Sequence, residues 1–220
     1  METLVTYKVS IVLRPIMDPK ERILVKSHEL FNRYGIRSVS MDDIAAQLGM
    51  SKKTLYQYYT DKDELVNAVF DIVLTTNKRQ CVDCTNKGEN AIHEVFLSFD
   101  MVEEMLKTMN PSVLFDMQKY HPSAFRKFDD FRNGFLYRVI KVNLERGIRE
   151  ELYRQELDTD ILSRYRLHSV LLSFDPEVFP TSKNNLVYIE QQLLEAFLYG
   201  IATQKGQKLI QKYKNQRTKK

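Results

Sequence analysis

Ser40-Met41-Asp42-Asp43-Ile44-Ala45-Ala46-Gln47-Leu48-Gly49-Met50-Ser51-Lys52-Lys53-Thr54-Leu55-Tyr56-Gln57-Tyr58-Tyr59 reads as two short helices joined by a tight turn. Ser40 offers a hydroxyl at an N-cap, and Asp42 and Asp43 place acids at the positive end of the helix that follows. Ile44, Ala45 and Leu48 share one face, and Gly49 ends the helix. Ser51, two residues on, caps the next segment. Two short helices across a glycine-containing turn make a helix-turn-helix.

The flanking sequence extends this unit in both directions. Asp18, Pro19 and Glu21 mark the start of a preceding helix over 19–34, with Ile23, Leu24, Ser27, Leu30, Phe31 and Tyr34 on one face and Gly35 as its stop. A fourth helix starts at Thr60 or Asp61 and runs through Leu65, Val66, Val69 and Phe70 toward Cys81. Helical spacing then resumes over 89–109, 111–120, 122–153, 158–174 and 183–213, between Pro111, Pro122, Asp158, Pro176 and Pro180. The fold class is all-α: a three-helix helix-turn-helix domain followed by a larger helical domain. Expected boundaries are a mobile, dispensable extension at 1–16, the small domain at 17–64, a connecting helix at 65–84, a regulatory domain at 85–206 and a basic tail at 207–220. The first 16 residues are β-prone with no partner strand, and Met17 is an alternative start.

Composition narrows the function classes. At 220 residues, 43% hydrophobic and 28% charged, the chain is long enough for one large core or two modest ones. No apolar run approaches the ~18 residues that span a bilayer, so no membrane role is expected. Residues 4–13 contain Lys8 and lead to no small-residue cleavage site, which argues against a leader. With only Cys81 and Cys84 present, the expected location is the cytoplasm. Net charge is +4, yet residues 205–220 hold seven Lys or Arg and no acid, so the excess cation sits in the tail.

The run from Ser40 to Tyr59, followed by Lys62-Asp63-Glu64-Leu65, resembles the DNA-binding domain of the tetracycline-repressor (TetR) family. The likeness lies in an "I-A-x-x-x-G" in the second helix, an "S-x-x-T-L-Y" opening the third and a "K-x-x-L" opening the fourth, and it covers residues 19–70. It implies that the third helix enters the major groove of double-stranded DNA. Ser51, Lys52, Lys53 and Thr54 are then the exposed reading candidates, with Gln57 and Tyr58 completing the set. Tyr56 and Lys62 would hold phosphates, Ser40 or Met41 would approach the backbone at the start of the second helix, and Tyr59 would pack inside. Lys53 stands where the family often has glycine and Tyr59 where it often has phenylalanine, so base specificity is where the likeness says least.

For the larger domain the resemblance implies a small-molecule effector pocket and a homodimer reading a palindromic operator. Pocket candidates are Phe96, Phe99 and Met105 on one helix, Phe115 and Tyr120 on the next, and Phe128 and Phe131 beyond, because aromatic and methionine side chains line apolar cavities. Interface candidates are Leu167, Val170 and Leu171 on one helix and Ile189, Leu193 and Phe197 on another. Closing the protomer's own core is an equally open fate for each of these.

Cys81-Val82-Asp83-Cys84 has the spacing of a zinc or dithiol pair, but no second pair at metal spacing accompanies it, and incidental thiols are expected. No catalytic residue, metal or cofactor is assigned. The reading is a transcriptional regulator, a repressor released by its effector. The alternative is a helical enzyme or interaction protein with an accessory helix-turn-helix, for which the chain shows no phosphate loop, HExxH or nucleophile elbow.

Overall fold

The computed structural model describes residues 18–175, 177–180 and 185–217; the expectation for residues 1–16 lies outside them. The chain forms α1 (Pro19–Tyr34), α2 (Met41–Leu48), α3 (Lys52–Tyr58), α4 (Lys62–Lys87), α5 (Ala91–Thr108), α6 (Ser112–Tyr120), α7 (Pro122–Asp130), α8 (Tyr137–Arg149), α9 (Thr159–Leu172), α10 (Leu186–Ile201) and α11 (Gln204–Arg217). Among the described residues no strand forms beyond an isolated antiparallel bridge between Tyr153 and Ala202.

Local chemistry accounts for most helix starts. Side-chain oxygens of Ser51, Asp61, Asn90, Asp158 and Asn185 each accept an amide N–H from the first turn they precede. Ser40 and Asp43 close a full capping box on α2. Gly49 ends that helix at φ 64, ψ 29, a left-handed conformation that costs glycine nothing and lets α3 start after a three-residue turn.

Two hydrophobic cores result. The first gathers Ile23 and Phe31 of α1, Ile44 of α2, Leu55 of α3 and Leu65 of α4, but also Val113 and Met117 of α6 and Ala124 of α7. The first core is therefore not closed by α1 to α4 alone; α6 and α7 complete its floor. The second core joins Ile92, Phe96 and Phe99 of α5 to Leu144 of α8, Leu194 and Leu198 of α10, and Ile210 and Tyr213 of α11. At ~25 cal/mol per Å² of apolar area removed from water, these buried faces are the main source of stability.

Three helix expectations change. The helix expected over 122–153 contains a π-helical stretch at Phe131–Leu136 and stops at Arg149. The stop is closed by the amides of Leu152 and Tyr153, both donating to the Gly147 carbonyl at 2.8 and 3.0 Å. Gly147 lies flat against Tyr153: a Cβ there would sit 2.0 Å from the ring. The helix expected over 183–213 breaks at Ala202, extended at φ −76, ψ 145, because Arg154 N–H takes the Ile201 carbonyl and Thr203 N–H takes that of Leu152, each at 3.0 Å. The segment expected as a basic tail is helical through Arg217, with Ile210 and Tyr213 buried and Arg217 bridging Asp100 at 2.6 Å.

Candidate nucleic-acid interface

The outer face of α3 is built by what its inner face buries. Leu55 is wholly buried and Tyr59, just past the helix end, is nearly so; α3 is thereby fixed on α1, α2 and α4. Tyr56, one residue from Leu55, is turned out and 46% exposed, so the two tyrosines divide as expected, one outside and one inside. Burial pushes the Tyr59 hydroxyl up to about 12. Lys52, Lys53 and Gln57 are exposed beside Tyr56, and Thr54 and Tyr58 are half-buried.

Hydrogen bonding sorts these side chains further. Ser51 Oγ accepts the Thr54 amide at 3.1 Å and lies 2.8 Å from Thr54 Oγ1, so both hydroxyls are already engaged in the cap. Lys52 is ion-paired to Asp42 across the turn, an exposed pair that a phosphate can displace at little cost. Among the described residues, Lys53 has neither a hydrogen bond nor an ion pair. At α2, Asp43 accepts both the Ser40 amide at 2.8 Å and its hydroxyl at 2.5 Å, and these bonds hold its carboxyl below the usual range. Ser40 thus offers little beyond its place at the helix start.

Two of the expected DNA contacts have side chains that turn inward in the protomer. The Met41 side chain is 6% exposed and belongs to the first core, leaving only its backbone amide facing out. Lys62 turns inward: its Nζ donates to the Ile36 carbonyl at 2.6 Å, and burial lowers its pKa against the pull of Asp116, Asp63 and Asp43. Lys62 locks α4 to the turn after α1. Lys62→Met is expected to lower stability by about 1–3 kcal/mol, from the lost charge-assisted bond to the Ile36 carbonyl, which keeps only the Val39 amide at 3.3 Å, and to leave the salt dependence of DNA binding unchanged. Thermal unfolding and a salt titration check the two parts; a salt slope reduced by about one would restore Lys62 to a phosphate.

The pocket candidates fall in different places. A cavity of about 920 Å³ beside α6 and α7 includes Phe115 and Phe128 in its wall. Phe96 and Phe99 lie in the second core, Phe131 is buried and stacks on Phe135 at 5.4 Å, and Met105 is exposed. Tyr120 is half-buried, with the Arg37 guanidinium 5.3 Å over its ring. The cavity also takes Asn110, Gln118, Arg132, Leu171 and Phe174, which no aromatic stripe on α5 to α7 reveals, because three are polar and two come from or follow α9. The Arg132 Nε is buried with no hydrogen-bond partner.

The interface candidates also divide. Leu167 and Ile189 are buried within the protomer, Val170 and Phe197 edge a second cavity of about 130 Å³, Leu171 lines the larger one, and Leu193 is half-buried. The outward apolar face of α9 and α10 is instead Ile161, Tyr165, Leu172, Tyr188 and Tyr199. Of the two thiols, Cys81 is pushed up to about 11 by burial, and Cys84 is raised for the same reason. Such thiols are poor nucleophiles, and among the described residues no cluster of metal-ligating side chains forms. Nor is any described helix long and apolar enough to cross a membrane.

Comparison with known proteins agrees with this geometry. Residues 23–69 match the family model described as bacterial regulatory proteins, tetR family. The chain is 28% identical over 158 residues to the HTH-type transcriptional regulator YvaF of Bacillus subtilis, spanning 71% of this chain and 82% of that one. A 41-residue stretch, 19% of this chain and 17% of the relative, is 51% identical to an HTH-type transcriptional regulator of Mycobacterium tuberculosis. A transcriptional regulator from Cytophaga hutchinsonii superposes with a TM-score of 0.65 at 18% identity over 82% of this chain and 97% of that one. A TetR-family regulator from Streptomyces coelicolor gives 0.63 at 17% over 83% and 95%. At those identities the structural likenesses speak to the fold alone.

Proposed function

We propose, for a chain that belongs to the TetR family of DNA-binding transcriptional regulators, that it is a repressor. In this reading a cytoplasmic homodimer grips a palindromic operator through two copies of α3 and lets go when a small molecule fills the cavity beside α6. Lys53, exposed at the start of α3, reads a base edge; Lys52 and Tyr56 hold phosphates; Gln57 completes the outer face.

The supporting observation is that one stretch of chain serves both the cavity and the reading head. Asn110 and Ser112 line the 920 Å³ cavity. The Asn110 amide donates to the Asn32 carbonyl of α1 at 2.7 Å, and its side-chain amide reaches the Arg33 carbonyl at 3.4 Å. Asp116, one turn beyond Ser112, accepts the Arg37 amide at 2.9 Å, and Asp63 of α4 meets His121 at 2.5 Å. A ligand that shifts α6 must therefore shift α1 and, through it, α3. For release, the ligand must bind the DNA-incompetent arrangement more tightly than the competent one.

Selection of bound genomic fragments, followed by a compound screen against that complex, tests the reading. The expected results are one palindromic sequence and at least one compound that dissociates it. Phe128→Trp, which narrows the cavity at its wall, should weaken that response while operator affinity stays within about threefold. Recovery of random fragments only would overturn the assignment.

Two copies of the chain are expected in solution. Light scattering should give about 52 kDa, twice the 26.0 kDa chain. Tyr165→Glu, which puts a charge into the outward apolar face of α9, should split the dimer and weaken operator binding at least tenfold, because one reading head then loses its covalently independent partner. A wild-type monomer that binds a palindrome at full affinity would contradict the dimer.

A further inference from the structure

Cys81 and Cys84 lie apart from the reading head and line neither cavity; they sit on the C-terminal half of α4, which packs against α5. Residues three apart on a helix share a face, so the two sulfurs are neighbours. Cys81 is 6% exposed and Cys84 is half-buried. The Cys84 sulfur has the Ser98 hydroxyl of α5 as a hydrogen-bond partner, and α4 runs unbroken through the pair to Lys87. Helical residues at this spacing hold their Cβ atoms about 5–6 Å apart, whereas a disulfide draws them to about 3.8 Å. Closing an S–S bond here would unwind a turn of α4. Zinc is no better served, since a structural site takes four ligands and, among the described residues, no third His, Cys, Asp or Glu joins the pair.

What fits is a single thiophilic atom that bonds two sulfurs and brings no charge into the helix packing. From this pair of thiols on one face of an intact helix, we propose a covalent site for trivalent arsenic, taken up as arsenite. An atom inserted between the sulfurs lets them stand further apart than a direct S–S bond does, which suits the helical spacing. Charge sorts the soft ligands. Burial pushes the Cys81 thiol up to about 11 and raises that of Cys84, because an anion here is costly. Two thiolates on Cu(I) would leave a net negative charge in the same place. Arsenite, As(OH)3, reacts as a neutral molecule with neutral thiols. Each S–H proton leaves with one arsenic-bound hydroxide as water, two As–S bonds replace two As–O bonds, and arsenic stays trivalent throughout. Cys84, the more exposed thiol, meets arsenite first, and Cys81 closes the chelate in an intramolecular step. The site uses no residue of the larger cavity and stands whether or not the chain is a repressor.

Arsenite, titrated into the reduced full-length protein, is the probe, with bound arsenic counted by elemental analysis after desalting and by intact mass. Binding is expected to saturate at one arsenic per chain, with both thiols lost to a thiol reagent and helix content by circular dichroism unchanged. X-ray absorption at the arsenic edge should show two sulfurs and one oxygen. Cys84→Ser should weaken binding by about a hundredfold or more, the loss expected when a chelate becomes a single bond. The double variant Asp83→Cys, Cys84→Ser keeps two cysteines but sets them two residues apart, where helical side chains do not face each other, and should weaken binding as much. Its circular dichroism should match that of the wild type, since Asp83 is exposed. Non-saturating uptake, full affinity in the Asp83→Cys, Cys84→Ser variant, or uptake only in denaturing urea would each overturn the proposal. So would a Cys81–Cys84 disulfide formed by a mild oxidant without loss of helix.

Discussion

Arg166→Met lowers the free energy of unfolding by about 3–5 kcal/mol in a denaturant titration, the expected cost of leaving one member of a buried ion pair without the other. The side chain of Arg166 is 13% exposed and that of Glu190 is 0% exposed, so little solvent remains to replace the lost partner. The variant's stability should also depend on pH in a direction opposite to that of an ordinary salt-bridged carboxylate. Burial already raises the Glu190 carboxyl above its usual value despite Arg166, and burial lowers the Arg166 guanidinium. Without the cation, Glu190 is raised further. The folded state then holds that proton more tightly than the unfolded chain, so stability is highest below the unfolded carboxyl value and is lost as pH rises through the folded one. Acidifying from neutral pH toward about 5 should recover part of the loss. The double variant Arg166→Met, Glu190→Leu should regain most of it, since two apolar side chains of similar volume suit this site. A single variant as stable as the wild type at pH 7 would show that water reaches Glu190 freely.

Lys53→Ala costs about 1–3 kcal/mol on the selected operator, with a smaller loss on random DNA and a relaxed preference at one or two base pairs per half-site. Lys53 is exposed at the start of a helix whose opposite face is anchored by the wholly buried Leu55, and among the described residues no acid pairs with its ammonium. Thr54→Ala is expected to act by a different route. Its hydroxyl belongs to the Ser51 cap and the residue is half-buried, so the variant should lose stability in α3 as well as contact with DNA. Binding isotherms on single-substituted operators separate the two. If Lys53→Ala weakened operator and random DNA equally and reduced the salt slope by about one, Lys53 would be a phosphate contact and the reader would have to be sought elsewhere on α3.

Inside the reading head, the sequence by itself determined the chemistry that acts within one turn of helix. Ser40 with Asp43, Gly49 and Ser51 set the ends of α2 and α3, and the alternation of Leu55, Tyr56 and Tyr59 fixed which ring is buried. These are interactions over three or four residues, and the residue types needed for them are few, so they can be read from a string of letters. The motif that carries the family resemblance consists largely of such positions.

What only the tertiary structure decided depends on partners that lie far along the chain. Lys62 faces inward because the Ile36 carbonyl, 26 residues earlier, accepts its ammonium at 2.6 Å beside the longer 3.3 Å bond from the Val39 amide. Met41 is core because α2 is pressed onto its neighbours, although the residue sits at an exposed-looking helix start. The break between α10 and α11 falls at Ala202 rather than at Gly200 or Gly206 beside it; it exists because Leu152 and Arg154 offer bonds that replace those of a continuous helix. Leu167 and Ile189 point inward, while Tyr165 and Tyr188, nearby on the same two helices, point outward. Periodicity finds an apolar stripe but cannot say which edge of it meets the protomer's own core, since that is set by how neighbouring helices cross. The pairing of Arg166 with Glu190, 24 residues apart on helices separated by a loop, is likewise a product of that crossing.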